Sequence, residues 1–232
     1  MATKLPLPPG QKVLTSFPRF GLPQYADRFP KILDEIKLTI DGDLDAFEIS
    51  EELQTLPRVE QTSDFHCVTT WSNQNLPWSG WRFKDFYEQL IKPKLTEPLS
   101  FVIFKTQDGF MTSLPLEDLL KANVILADKL DGQPLSIEHG APIRIIAPDH
   151  YGYKNPKHVD RIYFHKESRS LKKGIWKFID HPRARVANEE RARLGPGWMF
   201  RRLYGFTIKN TISNFEKAMK NYRKKNGLLD KK

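Results

Sequence analysis

Hydrophobic and polar positions change period several times along the chain, and each change predicts an element. Alternation over residues 35–40, closed by Asp41-Gly42-Asp43, predicts a hairpin whose second strand is 46–49. Residues 50–56 predict a short helix stopped by Pro57. Residues 59–68 predict a strand that carries Cys67 near its end, and residues 73–80 a loop. Phe83, Phe86, Tyr87, Leu90 and Ile91 fall at helical spacing, so 82–91 reads as a helix with one apolar face. The continuous apolar run 99–105 predicts a buried strand. Asp108-Gly109 turns the chain, and Pro115 opens a short helix through Leu120. Residues 124–126, 143–147 and 158–164 predict further strands, with turns at Asp131-Gly132 and His139-Gly140. Strands and short helices are mixed without a βαβ rhythm, which predicts an α+β fold with a curved mixed sheet or barrel-like core.

The ends read differently. Six prolines up to Pro30, with Phe17, Phe20 and Tyr25 among them, predict an arm laid over a surface in neither helix nor central strand. Ile208, Ile212, Phe215, Met219 and Tyr222 define an amphipathic helix, with a basic opposite face, expected to pack back on the domain. The expected segments are an arm over 1–30, a main domain over 31–175 and an extension over 176–232.

Composition narrows the function. The formal charge is +9, which suggests an anionic partner, whether nucleic acid, a phosphorylated cofactor or an oxyanion. Seven basic residues from Lys217 onward, against Asp230 alone, make much of that charge a C-terminal feature. No stretch approaches the roughly 18 to 20 apolar residues of a membrane helix, and no export signal is read. A single cysteine suits a reducing compartment, so the expected location is the cytoplasm.

Cys67 is that single cysteine, in the run Asp-Phe-His-Cys-Val-Thr-Thr-Trp-Ser at 64–72. By chemistry it is an inert buried thiol, a nucleophile working with a remote histidine such as His139, or one thiolate bond to a metal held mostly by something else. The six histidines do not cluster as zinc ligands would, and GxGxxG, P-loop, HExxH and CxxC motifs are missing. A second informative stretch is Glu-His-Gly-Ala-Pro-Ile-Arg at 138–144, followed by Tyr-Gly-Tyr-Lys-Asn-Pro-Lys at 151–157. Arginine forks onto phosphate oxygens, lysine adds a point charge, and turn amides donate further hydrogen bonds, so this composition suits an anion. Arg144 precedes Ile145-Ile146 in an apolar strand, where a charge needs a partner.

These two stretches, together with Trp-Ser-Gly-Trp-Arg at 78–82 and Asp-Gly-Phe-Met-Thr-Ser-Leu-Pro-Leu at 108–116, resemble the sulfite oxidase-type molybdopterin-binding domain. Pro-Pro-Gly-Gln at 8–11 and Phe-Pro-Arg-Phe-Gly at 17–21 resemble its bacterial branch. The resemblance covers roughly residues 8–166. It implies a molybdenum–molybdopterin cofactor, with the metal bound by the pterin dithiolene and Cys67. It implies that His139, Arg144 and Lys157 hold the pterin phosphate, with Asn155 and Pro156 beside them. It also implies a pterin contact from Thr106 and closure by Thr15, Pro18 and Arg19 of the arm. His66 and Asp108 are candidates for the surroundings of the metal, and Trp71 for a wall of the substrate pocket.

The departures from the pattern matter. Thr69, Thr70, Trp71 and Ser72 stand where animal and plant sulfite oxidases carry arginine-bearing sequence. Phe110 stands where the family often has tyrosine. The Cys-Val-x-x-Trp pattern is similar to that of the protein-methionine-sulfoxide reductase catalytic subunit. The implied protein is an oxidoreductase moving an oxygen atom to or from a small-molecule substrate, an S-oxide or similar. It would need an external redox partner, no nucleic acid is expected, and oligomerisation is left open. The competing expectation is a non-catalytic module whose basic tail engages an anionic partner.

Overall fold

Two sheets enclose a shared core in the computed structural model, which describes residues 6–171 and 180–228. The strands are β1 (Lys12–Val13), β2 (Leu38–Gly42), β3 (Phe47–Ile49), β4 (Arg58–His66), β5 (Trp71–Arg82), β6 (Phe101–Thr106), β7 (Met111–Pro115), β8 (Ile125–Leu130), β9 (Gln133–Pro134), β10 (Arg144–Ile146) and β11 (Val159–His165). One sheet runs β3-β2-β11-β6-β7. The other runs β1-β5-β8-β10, with β4 also on β5 and β9 also on β8. Pairing is parallel for β1 with β5 and β2 with β11, and antiparallel elsewhere. The result is α+β with two mixed sheets, not one closed barrel.

Neighbouring residues take opposite sides of a strand. In β8, Leu126 faces the core shared by both sheets, while Ile125 and Ala127 join a smaller cluster with Leu76 and Trp78. In β10, Ile145 faces the shared core and Ile146 the smaller cluster. Arg144 therefore emerges on the side of Ile146. Where β8 and β10 pair, this second sheet is buried on both faces, which accounts for the apolar residues that follow one another at 125–127 and 145–146. Its outer face carries the site.

The hairpin of β2 and β3 and strands β6, β8, β10 and β11 lie where the pattern places them. The helical turns at 82–91 appear as α1 (Phe83–Phe86), running into a wider π turn at Tyr87–Ile91. α2 is Leu116–Leu119. The loop expected at 73–80 is a correction: it is the middle of the twelve-residue β5. Ser72, Asn73, Gln74 and Asn75 hide the period in the sequence, but β4 pairs with this stretch on both sides of an irregularity at Gln74–Asn75, and β8 takes the other edge from Trp78 onward. Pro77 fits because its carbonyl is the group used there, accepting the Asp131 N–H at 2.8 Å. A further helix that the pattern did not predict, α3 (Gly197–Gly205), precedes α4 (Ile208–Lys225).

α4 lies against the arm. Phe215 and Ala218 cluster with Ala26 and Phe29, and Tyr222 stacks on Phe29 with centroids 4.1 Å apart. The same arm crosses the outer face of the second sheet, where Phe17 stacks on His139 at 4.7 Å.

Phe104 is fully buried in the shared core and meets Phe83 edge-on at 6.0 Å. Phe104→Ala is expected to cost about 3–5 kcal/mol, read from the urea midpoint. A loss below 1 kcal/mol would show that the two sheets do not depend on this core.

Candidate active site

The turn that joins β4 to β5 carries Cys67. The Cys67 N–H donates to the Trp71 carbonyl at 2.8 Å, and the Thr70 N–H to the Cys67 carbonyl at 3.2 Å. Thr70 takes a left-handed φ of 78°, the strain that so short a reversal demands. Two side chains from far away in sequence hold the turn. Gln11 Nε2 donates to the Cys67 carbonyl at 3.0 Å, and Gln11 Oε1 accepts the Ser72 hydroxyl at 3.1 Å. Arg191 Nη1 donates to the Val68 carbonyl at 2.5 Å and Nη2 to the Pro9 carbonyl at 2.9 Å. Arg191 is 1% exposed, with Glu189 at 3.1 Å as counter-ion and the Tyr151 ring 5.0 Å from its guanidinium. The arm and the C-terminal extension thus meet at the cysteine turn.

The Cys67 thiol is 7% exposed and lies 3.1 Å from the Thr69 hydroxyl. Burial pushes its pKa up, against the Thr69 hydrogen bond and the nearby cations Arg191 and Lys157. Free, it is therefore a poor nucleophile. His66 stands behind the turn, outside the cavity. Its Nδ1 meets the Ser72 hydroxyl at 2.7 Å, and burial lowers its pKa.

Cys67 opens on a cavity of about 160 Å³ between the arm, the cysteine turn and the 152–158 segment. Its lining is mostly apolar and rich in aromatic rings, with Phe17, Phe20, Phe65, Trp71, Phe110 and Phe215 among them. Pro18, Arg19, Asp108, Asn155, Pro156 and Lys157 also line it. His139 and Arg144 lie just behind, Arg144 with its guanidinium 5.0 Å from the Trp78 ring and 5.7 Å from Phe65. Arg144 donates to the His139 carbonyl at 2.8 Å and the Asn155 carbonyl at 3.3 Å, tying together the two loops that flank it.

The charge at this end of the cavity is poorly balanced. Among the described residues neither Arg144 nor Lys157 forms an ion pair; Lys157 donates to the Glu138 carbonyl at 2.6 Å. Burial brings Arg144 down to about 9. Burial, then repulsion from Arg144 and Arg19, holds Lys157 well below the usual lysine range. Burial, then Lys157 and Arg144, pushes His139 down to about 4. His139 Nδ1, Arg144 Nε and Trp71 Nε1 are buried donors or acceptors without a protein partner. Buried cations with unused donors are what an anion satisfies.

Other expected residues serve the walls. Arg19 donates to the carbonyls of Ala26 at 2.6 Å and Arg28 at 2.7 Å and lies 4.3 Å from the Phe29 ring, so it organises the arm. The Thr106 hydroxyl donates to Asp108 Oδ1 and shapes the 108–110 turn, without lining the cavity. The Asn155 side chain accepts the Ala147 N–H at 2.6 Å and donates to the Ala147 carbonyl at 3.3 Å. Thr15 is exposed and does not line the cavity.

The family model described as the oxidoreductase molybdopterin binding domain matches residues 26–173. The chain belongs to that family. It is an oxidoreductase of this class, 36% identical over 173 residues to the uncharacterized oxidoreductase YuiH of Bacillus subtilis, covering 73% of this chain and 83% of that protein. It is 28% identical over 169 residues to the protein-methionine-sulfoxide reductase catalytic subunit MsrP of Campylobacter jejuni, covering 60% of this chain and 55% of that one. A putative protein-methionine-sulfoxide reductase subunit, YedZ1 of Azospira oryzae, is 32% identical over 126 residues, or 54% of this chain and 45% of that protein. The sulfane dehydrogenase SoxCD of Paracoccus pantotrophus shares the fold, with a TM-score of 0.52 at 20% identity over 64% of this chain and 43% of that chain.

The residues present fit a phosphorylated pterin. Cys67, Lys157 and Trp71 line the same cavity, and Arg144 and His139, with their orphaned nitrogens, lie just behind its wall. Among the described residues no group of three His, Cys, Asp or Glu side chains could hold a metal, so a metal bound through Cys67 would need its other ligands from a carrier. Sequence reasoning missed Arg191, which lies outside the matched domain in a stretch with no motif to mark it. It also read Phe215 only as part of a helix face.

Two outcomes test the site. Arg191→Met strips two carbonyls of their donor, and the apo protein's Cys67 is expected to react at least ten times faster with a thiol reagent; an unchanged rate refutes the clamp. His139 and His158 both sit near 4, well below the ordinary 6.5. The unfolded chain therefore binds protons first as pH falls below about 6.5. Apo-protein stability is expected to decline from there toward pH 4, and less so in His139→Gln. A flat melting temperature over that range contradicts the buried neutral histidines.

Proposed function

We propose that the protein is a molybdenum–molybdopterin enzyme that moves an oxygen atom to or from a small, largely apolar substrate such as an S-oxide. The observation that carries this reading is the shared cavity: the buried sulfur of Cys67 and the Lys157 ammonium, which forms no ion pair among the described residues, open on one space walled by several aromatic rings. Cys67 would bind the metal. Lys157 and His139 would take the pterin phosphate, with Arg144 adding positive charge while it braces the loops on either side. When bound, the group supplies a two-electron redox couple and exchanges an oxygen atom between water and substrate.

This chain's own residues set what reaches it. Phe17, Phe65 and Trp71 pack together with centroids between 5.2 and 6.2 Å, Phe17 edge-on to Trp71 and the other two pairs tilted, and the cluster excludes water from this wall. Phe110 brings no hydroxyl to the cavity, Thr69 and Trp71 line it with Cys67, and the arginines nearby, Arg19 and Arg191, have their donors spent on backbone carbonyls and, for Arg191, on Glu189. A neutral S-oxide suits such walls better than a doubly charged oxyanion. The names of two relatives point to the same substrate class. Electrons would pass to or from an external redox partner.

The test is molybdenum and pterin content of protein made in a host that synthesises the cofactor. Near-stoichiometric molybdenum is expected in the wild type, and at least a tenfold lower pterin content in Lys157→Met. Metal-free wild-type protein from that host overturns the reading.

A further inference from the structure

We propose that the outer face of α3 docks the protein on an anionic lipid surface. The face runs the wrong way for a helix that serves a core. At 100° per residue, Trp198, Met199, Arg202, Leu203 and Phe206 share one side. That side points to solvent: Trp198 is 54% exposed, Leu203 59% and Phe206 85%. The side turned inward carries Phe200, Tyr204 and Arg201, which are half-buried. Phe200 and Tyr204 pack at 5.7 Å, and Arg201 pairs with Glu189 at 3.3 Å. Leu194, just before the helix, adds another exposed apolar side chain. Isolated exposed apolar residues are ordinary, but a contiguous cluster marks a contact surface.

Charge selects the occupant. From residue 191 to 215 the sequence has five basic residues (Arg191, Arg193, Arg201, Arg202 and Lys209) and no acidic one. Arg193, Arg202 and Lys209 are exposed. Aromatic and aliphatic side chains interleaved with arginine and lysine are the pattern of a helix lying in the plane of a bilayer, apolar groups among the acyl chains and cations among anionic headgroups. An acidic protein would satisfy the cations but not so broad an apolar face. The far end of α3 reaches the site: an added Cβ on Gly205 would lie 3.9 Å from the Thr70 hydroxyl. Docking through this helix therefore sets the cysteine turn close to the membrane surface. The inference is independent of which substrate the cavity takes.

The purified full chain is tested by cosedimentation with unilamellar vesicles of phosphatidylcholine, with and without phosphatidylglycerol. Binding is expected only with phosphatidylglycerol, weakening at high salt, and falling at least tenfold in Trp198→Ser/Phe206→Ser. Both positions are exposed, so the double variant should keep its melting temperature; should it not, Arg202→Glu gives the same readout. No binding to the anionic vesicles overturns the proposal. So does binding that survives these substitutions, which would assign it to the basic end of α4. A dimer dissolved by the double substitution, with no vesicle binding, would make the face an interface between copies of this chain.

Discussion

A thiol on a surface turn wanders unless the turn is held, and here the holding is done by a buried guanidinium. Arg191 spans the Val68 and Pro9 carbonyls, so a residue late in the chain joins the N-terminal arm to the four-residue reversal that bears Cys67. Gln11 braces the same turn from the other side. Burying an arginine is costly unless its donors are used and its charge is met. Arg191 uses Nε, Nη1 and Nη2 and has Glu189 beside it, which is why it can be fully enclosed. Local sequence near Cys67 sets the reversal; contacts from both termini fix where the sulfur points.

The cations around Lys157 lack this balance. Arg144 and Lys157 repel one another, with Asp108 and Glu138 near enough to offset this only in part, and burial, then the two cations, keeps His139 neutral. Such an arrangement lowers the stability of the empty protein and is retained where a ligand offsets it. Stability and function are therefore in tension at residues 138–157, while the shared hydrophobic core beneath supplies the rigidity. The two-sided burial of the second sheet connects them: Ile145 anchors β10 in the core and Arg144, one residue away, faces the site.

Most of this was legible in the chain, for specific reasons. Apolar runs such as 99–105 and the heptad-like stripe of α4 stand out because a single period dominates them. The stretch 72–75 did not, since its polar side chains lie in a strand whose order comes from pairing with β4. The cysteine and the basic stretch after His139 were visible as unusual chemistry, and their juxtaposition followed from a family resemblance. Arg191 could not be found that way. Its role depends on the chain folding back across the whole domain, and one arginine in a basic segment looks like any other. Thr15 shows the reverse: a position suggested by resemblance that sits exposed beside the cavity without lining it.

The central claim is that Cys67 is the one protein bond to the metal. X-ray absorption at the molybdenum edge, on cofactor-loaded protein, measures the sulfur scatterers directly. One sulfur fewer around the metal in Cys67→Ser than in the wild type is the predicted result. An identical sulfur shell in the two proteins would contradict it.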